Sequence, residues 1–189
     1  MEANCCEAIQ ARHVLACGLA GAGFSYGNAV IYEHDSVVDL SKRPKLSLDD
    51  MWDALPFEAV VVARQHARSL TTPRNDPTRD WYGVDLFAPD AAQRSASSRW
   101  WELGAERQAV VQRLTRDGPI PLLVSVGGCI VRGYSIAGID YQLSAENGRS
   151  ETAFALAEGR PDWAEKVENK WMRTPRGSAL LVLIRSKSR

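Results

Sequence analysis

Apolar positions along this chain follow two rhythms, one near 3.6 residues and one of two, and the changes of rhythm divide it into elements. Residues 1–17 read as a helix with Ile9, Val14 and Leu15 on one side, ended where Gly18, Gly21 and Gly23 break the pattern. Residues 29–32 and 37–40 read as short strands. Residues 47–55 read as a helix capped by Ser47, with Asp49 and Asp50 in its first turn, where acids meet the positive end of the helix dipole. Residues 59–63 contain no polar position and predict a buried strand.

Residues 71–80 carry Pro73 and Pro77 among charges and predict an exposed loop, a setting in which binding residues tend to sit. Residues 81–87 alternate enough for a strand or an edge hairpin. From 97 to 115, Trp100, Trp101, Leu103, Val110, Val111 and Leu114 fall on helical spacing, with Ser97 as the expected cap and Gly118 just past the end. Residues 119–126 and 129–138 are two strand-like runs around Gly127-Gly128, which predicts a hairpin. Residues 141–143 either continue the sheet or begin a helix. Pro161 marks a helix start for Trp163, Val167 and Trp171, Pro175 a stop, and residues 178–185 a closing strand. The sum is one α+β domain over residues 1–189.

Composition narrows the class. The chain has 189 residues, 45% hydrophobic and 24% charged, which is ordinary usage for a folded domain. Lys and Arg number 23 and Asp and Glu number 23, so no global field draws it to nucleic acid, and any such contact needs a local patch. One patch is the tail, where Arg173, Arg176, Arg185, Lys187 and Arg189 gather with no acid among residues 169–189, although a solvated basic end has the same composition. Cys5, Cys6, Cys17 and Cys129 make neither a disulfide framework nor a zinc pattern. The apolar stretch of residues 14–24 is shorter than the roughly 20 residues a membrane span needs. A cytoplasmic protein is the expectation, and peripheral attachment at the inner membrane face through a complex is compatible with it.

Chemistry is less legible. His13, His34 and His66 are scattered, and none lies in a metalloprotease spacing. The glycines at 18, 21 and 23 lack a phosphate-loop lysine. The informative segment runs from the helix through the hairpin to residues 133–138, Gly-Tyr-Ser-Ile-Ala-Gly. A strand ending at a glycine can deliver backbone N–H groups to an anion if a helix begins there.

Residues 113–126, Arg-Leu-Thr-Arg-Asp-Gly-Pro-Ile-Pro-Leu-Leu-Val-Ser-Val, followed by Arg132-Gly-Tyr-Ser-Ile-Ala-Gly138, resemble the ParB/sulfiredoxin superfamily, and Pro73-Arg74 resembles its early Asn-Pro-Arg box. The resemblance covers about residues 59–143. It implies a mixed sheet flanked by helices, here with N-terminal and C-terminal helical additions. The sulfiredoxin histidine after Gly-Gly-Cys is replaced by Ile130, so Cys129 reads as structural, and the Glu-Arg pair of ParB is replaced by Ile139-Asp140.

Length and pattern together resemble the plasmid-encoded fertility inhibition factors of this superfamily. That resemblance implies a protein that keeps a co-resident plasmid or T-DNA from leaving through a conjugation-type (type IV) secretion channel, in association with ATP hydrolysis and DNA cleavage. On this reading Gly138 and Arg74 hold the nucleotide phosphates, Arg132 neutralises charge, Asp140 holds Mg²⁺ or orients water as the catalytic acidic group, and Arg173 and Arg176 meet DNA. The competing expectation is a non-enzymatic inhibitor that binds a coupling or secretion protein through Trp81, Tyr82 and Phe87.

Overall fold

The computed structural model describes residues 8–70, 79–144, 150–174 and 178–185. Helix α1 (Ala8–Ala16) buries Val14 and ends where Gly18 turns at a φ of +97°. A small hairpin follows, β1 (Phe24–Tyr26) and β2 (Ala29–Ile31), and both strands are solvent-exposed along their length. Residues 37–40, expected as a strand, lie in α2 (His34–Ser41). Four residues are too few to display a period, and Leu40 is what turns inward, with its carbonyl receiving the Trp171 indole N–H at 3.0 Å. After β3 (Lys45–Leu46), helix α3 (Leu48–Ala54) starts in the capping box expected of Ser47. Ser47 Oγ accepts from the Asp50 amide at 3.0 Å, and the hydrogen bonds from Ser47 hold the Asp50 carboxyl below its usual range.

Strand β4 (Ala59–Gln65) leads to β5 (Ser69–Leu70) and β6 (Trp81–Tyr82), which pair antiparallel. The long helix expected from 97 to 115 is instead two helices with a strand between them: α4 (Asp90–Ser98), β7 (Trp101–Glu102) and α5 (Ala105–Leu114). Ser97 lies in the last turn of α4, and Gly104 precedes α5. The tryptophans that gave the segment its helical rhythm are used differently, since Trp101 lies in the sheet opposite Thr152 and its indole N–H donates to the Ser97 carbonyl at 3.0 Å.

The hairpin of β8 (Ile120–Val126) and β9 (Cys129–Ser144) turns at Gly127 and Gly128, both at positive φ. Strand β9 then continues past Gly138 to pair with β10 (Ser150–Leu156), so no helix begins at Gly138 and residues 141–143 extend the sheet. The expected C-terminal helix is a single turn, α6 (Ala164–Val167), after which Trp171 belongs to β11 (Trp171–Met172), and β12 (Leu180–Ile184) closes the described chain.

One mixed eight-stranded sheet organises these parts, in the order β12, β4, β8, β9, β10, β7, with β11 pairing both β9 and β3. Strands β4 and β8 are parallel and the neighbours around them antiparallel. Both central strands are buried on two faces, which explains why β4 and β8 read as nearly unbroken apolar runs. Val61, Leu122, Val124 and Ile136 face one apolar cluster, and Val60, Val62, Leu123 and Ile130 face a second, with Met51, Trp163 and Val167. Each such side chain contributes about 1.5–3 kcal/mol by leaving water. None of the helices among the described residues is long and apolar enough to cross a membrane.

Candidate functional site

The outer edge of β9 is paired at both ends and bare in between. Ile130 donates its amide to Lys170 at 2.9 Å and accepts from Asn169 at 2.8 Å, while the carbonyl of Ser135 accepts from Ala157 at 2.8 Å as β10 peels away. Between them the Gly133 amide would lack a partner, a costly condition for a buried backbone group. A side chain supplies it: Glu168 Oε1 accepts from Gly133 N at 2.8 Å.

Glu168 stands just past α6, whose Trp163 and Ala164 press on the strand so closely that a Cβ on Gly133 would lie 2.7 Å from the Trp163 ring. The Glu168 carboxylate is 4% exposed and its second oxygen receives Arg160 Nη2 at 2.6 Å.

Because side chains alternate along a strand, Arg132 and Tyr134 flank Gly133 on the face away from Trp163. They look into a cleft of about 240 Å³ that is closed by Arg94 and Asp90 of α4 and by Gly159 and Arg160 of the loop after β10. Arg94 Nη1 donates to Gly159 O at 3.2 Å, its Nη2 donates to Ala157 O, and its guanidinium lies 5.2 Å from the centre of the Tyr134 ring. The Tyr134 hydroxyl is buried without a hydrogen-bond partner among the described residues. Burial pushes its phenol above the usual tyrosine range; the Asp90 charge adds to this, and Arg132 and Arg94 oppose it. Arg132 Nη1 donates to Val131 O at 3.2 Å. Three guanidinium groups line the cleft with two carboxylates, and Arg160 also has the Glu165 carboxylate 3.9 Å away. Guanidinium donors gathered at a small cleft suit a singly charged oxyanion.

Of the described residues singled out from the sequence, Arg132 is in this cleft and Gly138, Asp140 and Arg173 are elsewhere. Gly138 sits within the sheet opposite Ala155, roughly 20 Å farther along an extended strand. Asp140 is exposed and is the extra residue of a bulge between Ile139 and Tyr141, roughly 26 Å from Arg132 by the same measure. Arg173 is exposed just beyond β11, and Arg74 and Arg176 lie outside the described residues. Among the described residues no three His, Cys, Asp or Glu side chains group to hold a metal. Trp81 is buried under the Arg68 guanidinium at 5.0 Å, whereas Tyr82 and Phe87 are exposed. Cys129 is buried beside Arg43, whose Nη1 is 3.8 Å from its sulfur, and burial raises its thiol above the usual range. Sequence reasoning missed Arg94, Tyr134, Arg160 and Glu168; the one available signal was the polar Arg-Gly-Tyr step inside an otherwise apolar strand.

Comparison with protein-family models, curated proteins and solved structures gave no match to this chain.

Proposed function

We propose that the chain binds the phosphodiester backbone of nucleic acid in the cleft beside β9, and that it acts by binding as an inhibitor of conjugative or T-DNA transfer. The first half rests on one observation: Arg94, Arg132 and Arg160 gather around one small cleft beside β9, three guanidinium groups to the two carboxylates that line it with them, Asp90 and Glu168. A phosphodiester, with one negative charge and acceptor oxygens, suits such a group of guanidinium donors. The second half rests on the resemblance to the fertility inhibition branch of the ParB/sulfiredoxin superfamily.

The ATP and Mg²⁺ implied by that resemblance suit the described residues less well. A cleft of about 240 Å³ is smaller than the roughly 300–1,000 Å³ of pockets that enclose a whole small molecule, and a triphosphate brings several negative charges to guanidinium groups that already have Asp90, Glu168 and Glu165 beside them. Asp140 stands on the surface, well along the strand from Arg132. Binding is therefore the proposed activity. In donor cells carrying a conjugative plasmid, the wild-type chain lowers transfer frequency and Arg132→Ala restores it. Equal transfer with and without the chain would remove the inhibitor reading.

A further inference from the structure

A second cleft lies at the other end of α4. It measures about 160 Å³, and its walls include His66, Arg79, Tyr82, Gly83, Arg99 and Trp100. The fold holds these walls firmly. Buried Gln93 donates to Gly83 O and Ser97 Oγ at 3.0 Å each and accepts from the Asp85 amide at 2.8 Å, tying the turn after β6 to the helix. Arg79 caps the helix end through the carbonyls of Ala96, at 3.0 Å, and Arg99. Gly83 takes a φ of +94°, and a Cβ there would lie 2.8 Å from the carbonyl oxygens of His66 and Ala67. The side chains so fixed are flat: the His66 and Tyr82 rings meet edge to face at 5.0 Å, Arg79 lies 5.8 Å from the Tyr82 ring, and Arg99 lies 5.8 Å from the ring of half-buried Trp100.

Aromatic and guanidinium planes around a small open cleft form the surface on which a nucleobase stacks, and every base has a face to offer. The β9 cleft touches α4 at Asp90 and Arg94, and this one begins at Arg99. Arg99 directly follows Ser98, the last residue of α4, so both clefts border the same helix. We infer that the cleft of Trp100 and Tyr82 takes one unpaired base of the strand whose backbone the β9 cleft holds, so that the ligand is single-stranded nucleic acid. This rests on the phosphodiester reading above, and it excludes a duplex because paired bases are not free to stack on protein.

The test compares three probes by fluorescence anisotropy with the whole chain: a short single-stranded oligonucleotide, the same sugar–phosphate length without bases, and the duplex. The single strand should bind about tenfold more tightly than the abasic strand, the order of one base–aromatic stack. Trp100→Ala should erase that ratio and Trp100→Phe, which keeps a π-face, should retain most of it. Equal binding of the single and abasic strands would overturn the base cleft and leave the phosphodiester reading standing. A duplex that binds as well as the single strand would overturn it too. If none of the probes binds, the phosphodiester reading falls and the base cleft with it. The comparison of probes on the unaltered protein decides the matter even if Trp100→Ala fails to fold.

Discussion

The carboxylate of Glu168 caps the backbone amide of Gly133 at 2.8 Å, standing where the carbonyl of a neighbouring strand would stand. A sheet edge left open in the middle of the molecule is thereby satisfied without being filled, and the cleft exists because a side chain does what β10 stops doing at Leu156. Glu168→Ala leaves the buried Gly133 amide without its acceptor and Arg160, among the described residues, with only Glu165, 3.9 Å away, and should destabilise the chain by about 2 kcal/mol in urea unfolding. Glu168→Gln keeps an acceptor for Gly133 and should cost less. Equal stability of Glu168→Ala and the parent would mean that water serves the amide as well.

Gly133→Ala tests the other side of the same strand. Its new methyl would meet the Trp163 ring at 2.7 Å and Ala164 Cβ at 3.0 Å, so either α6 or β9 must shift. A cost of about 1–3 kcal/mol is expected, as for overpacking elsewhere, and the near-ultraviolet signal of Trp163 should change with it. Gly138→Ala, where nothing lies within 4 Å, is the matched control and should leave that signal alone.

Much of the fold was legible because it rests on local rules. The two-sided burial of β4 and β8 reads directly from their apolar runs, the β8–β9 turn from Gly127-Gly128, and the α3 cap from Ser47 and Asp50. The errors are equally specific. Trp100 and Trp101 lent a helical rhythm to a segment that is broken by a strand, because the indole of Trp101 is claimed by the Ser97 carbonyl and by the sheet. The site was legible only at Arg132. Arg94, Arg160 and Glu168 come from three separate stretches of chain and meet at a sheet edge, and sequence spacing carries no trace of that meeting.

Tyr134→Phe tests the buried hydroxyl. Removing an unpartnered buried hydroxyl should leave stability at neutral pH unchanged or raise it slightly, because no hydrogen bond is lost. Affinity for a single strand should likewise stay within about twofold, because a hydroxyl with no exposed surface does not reach a ligand. The pH dependence follows from the raised phenol: its stabilising contribution is complete below the ordinary tyrosine value of about 10 and is lost as pH rises through the higher folded value. Stability of the parent should therefore decline above about pH 10, and the decline should be shallower in Tyr134→Phe.

The two buried thiols give an independent probe of the core between α1 and the β8–β9 turn. Burial raises the Cys17 thiol to about 11 and moves Cys129 in the same direction. With Cys5 and Cys6 replaced by serine, both should resist a disulfide reagent at pH 8 and react fully in denaturant. The Cys17 contribution to stability is whole below about 9 and fades as pH rises towards 11. Rapid labelling of the folded chain at pH 8 would show that α1 opens readily from the turn it covers.

The most direct measurement of the central claim is the salt dependence of single-stranded oligonucleotide binding by the parent and by Arg132→Ala, with folding of both verified by unfolding curves. If Arg132 neutralises one phosphodiester, the variant binds more weakly and its plot of log K against log salt is shallower by about 0.7. Identical affinity and slope in a folded Arg132→Ala would contradict the claim that the β9 cleft holds the backbone of nucleic acid.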